Sequence, residues 1–85
     1  MKYVFAEESW EDYLYWQQAD KKKLQRINEL LRDIARDPFH GIGKPEPLKF
    51  KYAGFWSGRI DDEHRLIYQV KGNEILIAKC RFHYD

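Results

Sequence analysis

The sequence predicts an α+β domain, in which an N-terminal strand and a two-helix hairpin pack on one face of a mainly antiparallel sheet. Three observations predict it. Two apolar stripes of helical period fill the first part of the chain, Pro38 closes them, and from Leu48 onward apolar and polar residues alternate between turn-like separators. Lys2–Ala6 (Lys-Tyr-Val-Phe-Ala) is a short strand-favouring run. Glu7, Glu8, Glu11 and Asp12 then gather at the start of a helix whose inward positions are Trp10, Tyr13, Leu14 and Trp16. Acids belong there, at the positive end of the helix dipole. Asp20 is the N-cap of a second helix with the stripe Leu24, Ile27, Leu30, Leu31 and Ile34. The residue before a proline avoids helical geometry, so this helix ends at Pro38.

Phe39–Pro47 is rich in glycine and proline and reads as a loop. Four strands follow, Leu48–Tyr52, Phe55–Ile60, His64–Val70 and Glu74–Phe82. Their separators, Ala53-Gly54, Asp61-Asp62-Glu63 and Lys71-Gly72-Asn73, have hairpin length, which predicts an antiparallel meander. Even positions carry Leu48, Phe50, Tyr52, Trp56, Ile60, Leu66, Tyr68, Val70, Leu76, Ala78, Cys80 and Phe82. Odd positions carry Lys49, Lys51, Arg59, Arg65, Lys79, Arg81 and His83, with Ile67, Ile75 and Ile77. Successive side chains leave opposite faces of a strand. One face is therefore expected to take the helices and the other to gather cations over an apolar floor, with parity trusted within strands more than across a bulge. A basic, partly apolar groove suits a polyanion; an ordinary solvated face is the competing reading.

The 85 residues form one domain spanning 1–85, with 44% hydrophobic, 16% aromatic and 34% charged residues. That is the composition of a folded domain, neither a disordered tail nor a membrane span. The net charge is only +1, so any basic site must come from placement. The Met1-Lys2-Tyr3 start carries no leader-like apolar stretch, which predicts a cytoplasmic protein.

Metal and nucleotide chemistry lack their motifs. Cys80 is the lone cysteine, no H-E-x-x-H or P-loop occurs, and Gly41-Ile42-Gly43 lacks the context of a dinucleotide fingerprint. No cofactor is expected. Neither Ser9 nor Ser57 sits in a nucleophile elbow. The remaining chemistry is acid–base work by a carboxylate and an imidazole beside cations. Glu46, fixed between Pro45 and Pro47, is one candidate; Arg65 opens a strand on the basic parity, and His83 closes the last one. His40 and His64 have equal claims by residue type, although His64 has apolar parity. Each residue alone has a bland reading as a surface acid, a surface ion pair or an incidental terminal histidine. Together they fit attack of an RNA 2′-hydroxyl on its own phosphodiester, which needs a base, an acid and charge stabilisation.

The chain also resembles the YoeB/Txe toxins of bacterial type II toxin–antitoxin modules, within the RelE/ParE superfamily. The resemblance runs along nearly its whole length. It rests on Glu-Glu-Ser-Trp-Glu-Asp-Tyr-Leu-Tyr-Trp at 7–16, Ile-Asn-Glu-Leu at 27–30 and Gly-Lys-Pro-Glu-Pro-Leu-Lys at 43–49. Gly-Phe-Trp-Ser at 54–57, Glu-His-Arg-Leu-Ile-Tyr at 63–68 and Cys-Arg-Phe-His-Tyr at 80–84 complete it. The resemblance implies a RelE-like fold and a metal-independent endoribonuclease that cuts mRNA in the ribosomal A site, in the bacterial cytoplasm. It implies Glu46 as general base, His83 as general acid and Arg65 as the stabiliser of the transition-state phosphate. Lys49, Arg59, Glu63 and Tyr84 match residues that position RNA or support that centre, and Arg81 joins them from the basic parity. The implied partners are a YefM/Phd-type antitoxin, the ribosome and its mRNA, a second toxin copy, and operator DNA through the antitoxin complex only. Gly58 and Asp85 depart from the family pattern. A ParE-like gyrase poison and a non-catalytic RNA-binding module are the alternative functions.

Overall fold

The computed structural model describes residues 1–82. In chain order these form β1 (Lys2–Phe5), α1 (Glu7–Ala19), α2 (Lys21–Arg36), β2 (Glu46–Pro47), a 3₁₀ turn (Phe50–Tyr52), β3 (Trp56–Arg59), β4 (Arg65–Lys71) and β5 (Glu74–Lys79). The five strands make one sheet in the order β1-β5-β4-β3-β2, with β1 parallel to β5 and every other pair antiparallel. The expected α+β architecture is therefore present. No helix among the described residues is long and apolar enough to cross a membrane.

The helices form where their end chemistry places them. Asp20 accepts hydrogen bonds from the backbone of Lys22 (3.0 Å) and Lys23 (3.3 Å), two of the donors that a helix start leaves unpaired. Ile27, Leu30, Leu31 and Ile34 of α2 are buried, as their spacing predicts. In α1 the stripe is less uniform. Trp16 is buried, but Trp10 is exposed and stacks on Tyr13, with ring centroids 5.8 Å apart. The core joins Trp16 and the α2 stripe to Ile60, Leu66, Tyr68, Ile75, Ile77 and Cys80 of the sheet.

Ile75 and Ile77 were expected on the basic face, yet they face the helices. The hairpin between β4 and β5 pairs Lys71 with Glu74, so even residues of β4 meet odd residues of β5, Val70 with Ile75 and Tyr68 with Ile77. The parity flips across the turn. One extra residue, Ala78, then interrupts the ladder: Ile67 pairs with Lys79, while Tyr68 pairs with Ile77. This bulge restores the original parity, setting Lys79 opposite Ile67 in the register and returning Cys80 to the core.

The predicted strand Leu48–Tyr52 is also corrected. Pairing to β3 stops at Glu46–Pro47, within the expected loop, and the chain then enters the 3₁₀ turn. Pro47 has no N–H to donate, and β2 is an edge strand, the position in a sheet that tolerates proline. Leu48 is buried beside this edge, but Phe50 points into solvent at 92% exposure. Phe82 is likewise half-exposed and follows the end of β5 at Lys79.

Candidate active site

Strand register alone brings the candidate residues together. Glu46 pairs with Ser57, Ser57 with Ile67, and Arg59 with Arg65. Directly opposed residues share a face with Cβ atoms about 4.5–5.5 Å apart. Glu46, Ser57, Arg59 and Arg65 thus stand on the face opposite the helices, where fully buried Ile67 supplies an apolar floor. Together with Lys44 they line a cavity of about 210 Å³.

The electrostatics of this cavity are unbalanced. Two arginines directly opposed across strands repel each other. Arg59 meets the exposed carboxylate of Asp62 at 3.2 Å. Arg65 instead donates to main-chain carbonyls, those of Asp61 at 2.5 Å and His64 at 3.0 Å. Among the described residues it has no carboxylate within ion-pair distance, so its guanidinium is oriented without being neutralised. Such a site favours an incoming anion.

Two networks hold the walls. On the first, Asp33 of α2 accepts from the backbone of Ile42 at 2.9 Å and pairs with Arg36 at 2.6 Å. The Arg36 guanidinium and the Ile42 N–H together hold the Asp33 carboxyl below the usual carboxylate range. Arg26 donates to the carbonyls of Ile42 (3.2 Å) and Arg59 (3.1 Å), and Arg59 donates from its backbone to Gly43 (2.8 Å). The segment leading to Lys44 and Glu46 is therefore tied to both α2 and β3. Gly41 allows the close approach: its φ is +140°, and a Cβ there would lie 1.9 Å from the Asp33 carboxylate.

The second network sits around the turn between β3 and β4. Asp61 accepts from the backbone of Glu63 (2.8 Å) and His64 (2.6 Å) and pairs with Lys23 at 2.8 Å. Burial pushes the Asp61 carboxyl up, but Lys23 and those two N–H groups outweigh it and hold it at about 2. Buried His64 packs edge-on against Trp16 at 4.8 Å. Its Nδ1 accepts from the backbone of Phe82 at 2.8 Å and so must be unprotonated. The Phe82 carbonyl accepts from the Arg65 backbone at 3.0 Å. Trp16 Nε1 donates to the Cys80 carbonyl (2.8 Å), and Asp12 accepts from the Cys80 backbone (3.1 Å). The segment after β5 is thereby fastened to α1 and to the start of β4.

Glu46, Arg59 and Arg65, all singled out by sequence, converge on the cavity. Lys49 lies apart from its lining, exposed at the start of the 3₁₀ turn. Glu63 is exposed at the β3–β4 turn, 3.6 Å from His64 Nε2. Arg81 lies over the Tyr15 ring at 3.5 Å, away from the cavity lining. His83 and Tyr84 lie outside the described residues. His40 is exposed and pairs with Asp37, while His64 serves the core, as its parity suggests. Sequence reasoning missed Lys44 and Ser57 as lining residues. Ser57 shares the odd parity of Arg59; Lys44 lies two residues before Glu46, in a stretch read only as loop. Among the described residues, no group of three or more His, Cys, Asp or Glu side chains could hold a metal ion. The buried Cys80 thiol is pushed up to about 12 by desolvation and then by Asp12, which suits a packing role.

Comparison with known proteins agrees along the chain. A family model described as YoeB-like toxin of bacterial type II toxin-antitoxin system matches residues 5–84. Toxin YoeB of Synechocystis sp. is 61% identical over 85 residues, covering 100% of this chain and 99% of the relative. The YoeB/ParE toxin from Agrobacterium tumefaciens superposes with a TM-score of 0.96 at 49% identity, covering 99% of this chain and 100% of that one. The toxin in the heterotetrameric YoeB-YefM toxin-antitoxin complex from Staphylococcus aureus superposes with a TM-score of 0.92 at 49% identity, covering 99% of this chain and 98% of that one. With the fold, the register and the motifs in agreement, the chain belongs to the YoeB-like toxin family of bacterial type II toxin–antitoxin systems.

Proposed function

We propose that this toxin is a metal-independent endoribonuclease that cuts mRNA in the ribosomal A site and so stops translation. The observation that carries the reading is the cavity itself, where one carboxylate, Glu46, stands among Lys44, Arg59 and Arg65 on one rigid sheet face. A carboxylate beside Arg65, which has no carboxylate partner among the described residues, suits proton abstraction next to a phosphodiester.

In the proposed reaction Glu46 accepts the proton of the 2′-hydroxyl as its oxygen forms a bond to phosphorus. Arg65 and Arg59, with Lys44, stabilise the negative charge that builds on the phosphorane, while Lys49, outside the cavity lining, binds the RNA backbone beside it. The bond from phosphorus to the 5′-oxygen breaks, and His83 donates a proton to that oxygen. The products are a 2′,3′-cyclic phosphate and a 5′-hydroxyl, and DNA is refused because it has no 2′-hydroxyl. Glu63, Arg81 and Tyr84 act in support, by positioning RNA or the reacting groups. The implied setting is the bacterial cytoplasm. The S. aureus YoeB-YefM complex supports a YefM-type antitoxin as the inhibitory partner here too.

Primer extension on a defined mRNA in a bacterial cell-free translation reaction tests the reading. Wild type should give cuts within translated codons, and Glu46→Ala and His83→Ala should give none. Unimpaired translation with wild type would remove the nuclease reading, and cuts that survive His83→Ala would break the proposed division of roles.

A further inference from the structure

Phe50 is unusual in three independent ways. The residue is 92% exposed, whereas the other large apolar residues exposed among the described ones lie between 37% and 52%. Its φ is +57°, a left-handed conformation that costs a bulky L-residue energy and that glycine or asparagine would adopt more readily. Its two neighbours, Lys49 and Lys51, are both exposed cations, and no acid occurs anywhere from Pro47 to Ile60.

The turn that carries Phe50 is well held. Tyr52 donates from its backbone to Lys49 (3.2 Å), Ala53 to Phe50 (3.0 Å) and Leu48 to Phe55 (2.9 Å), while the Leu48 side chain is buried beneath. The ring is thus displayed on a fixed platform. Within the described residues it takes part in no aromatic pair; the nearby lysine, Lys51, lies over Tyr52 instead. Exposure and backbone strain with no return among the described residues point to a return from a ligand.

Position and charge indicate the ligand. Phe50 follows Glu46 by four residues, so its Cα lies within roughly 14 Å of that carboxylate's Cα even with the chain fully extended. A flat apolar ring between two ammonium groups matches a nucleotide, whose base stacks while its flanking phosphates meet the cations. An acidic protein segment would use the lysines but gain little from a strained, isolated ring. We propose that Phe50 is a stacking residue for an unpaired RNA base beside the cleavage position, with Lys49 and Lys51 on the adjoining phosphates. The inference rests on the endoribonuclease reading.

Steady-state cleavage of a defined mRNA on programmed ribosomes tests it with Phe50→Ala, Phe50→Leu and Phe50→Trp. Stacking of one base predicts a KM raised about 5- to 100-fold in the Ala and Leu variants, with kcat nearly unchanged and Trp close to wild type. Melting temperatures should not fall, since the ring supports no internal packing. Equal KM in wild type and Phe50→Ala overturns the proposal. So does a Leu variant that behaves as wild type, which would mean apolar contact without stacking. A variant that cuts normally but loses antitoxin affinity or self-association also overturns it and assigns the ring to a protein interface. If wild type cuts nothing, the nuclease reading fails separately. Stacking is then read from single-stranded RNA carrying 2-aminopurine, which wild type should quench and Phe50→Ala should not; equal emission overturns it.

Discussion

Replacing Asp61 with asparagine removes one charge from the turn that orients Arg65. The Asp61 carboxyl lies at about 2, against 3.8 for a free aspartate. At ~1.36 kcal/mol per unit, that displacement corresponds to about 2 kcal/mol of folding stability at neutral pH. The Asp61 and Lys23 side chains are 28% and 31% exposed, so solvent screening trims the figure to about 1–2 kcal/mol. For a domain of this size that is a fall in Tm of roughly 5–15 °C. Asparagine can still accept from His64 and Glu63, but its amide offers Lys23 no charge. The pH dependence has a definite sign. A depressed carboxyl stabilises the fold above its unfolded value, and that stability drains away as pH falls from about 4 through about 2. Thermal melts of wild type and Asp61→Asn at pH 7, 4 and 2.5 should therefore converge toward the acid end. Equal stability at pH 7, or a gap that persists undiminished at pH 2.5, would refute the reasoning.

Glu46→Gln keeps the shape of the cavity but cannot accept a proton, so single-turnover cleavage should fall by about 10²–10⁴-fold while the circular dichroism melt stays within a few degrees of wild type. Gly41→Ala meets both a φ of +140° and the Asp33 carboxylate, whereas Gly72→Ala at φ +55° meets nothing within 4 Å. Urea unfolding should show a cost of about 1–2 kcal/mol for the second and clearly more for the first, and only the first should lower activity, because its loop carries Glu46. His64→Leu strands the Phe82 N–H and should cost about 1–3 kcal/mol, while His64→Asn, which can supply an acceptor, should recover part of it in the same assay.

The parts legible in the sequence are those where one local rule acts without competition. The α2 stripe and the Asp20 cap follow from helical period and end chemistry, and the pairing of Arg59 with Arg65 follows from shared parity across a short turn. Illegible parts come from offsets that no residue type announces. The turn after Lys71 reverses parity, and Ala78 reverses it again, yet alanine carries no mark of a bulge. Ile75 and Ile77 therefore looked like a groove floor and are core. The edge strand holding Glu46 is only two residues long, too short for any alternation. Glu46 was visible through its flanking prolines; Lys44 was not, because its place in the cavity depends on Asp33 and Arg26, both distant in sequence. Trp10 was placed inward by period alone, and its stacking on Tyr13 at the surface shows that period locates a helix better than it locates each side chain.

The central claim is that a 2′-hydroxyl, and not water on a metal, attacks the phosphodiester. Mass spectrometry of the RNA ends left by the purified toxin on mRNA-programmed ribosomes tests it most directly. The account predicts a 2′,3′-cyclic phosphate, or the 3′-phosphate into which it opens, on the upstream fragment and a 5′-hydroxyl on the downstream one. A 3′-hydroxyl with a 5′-phosphate would contradict it.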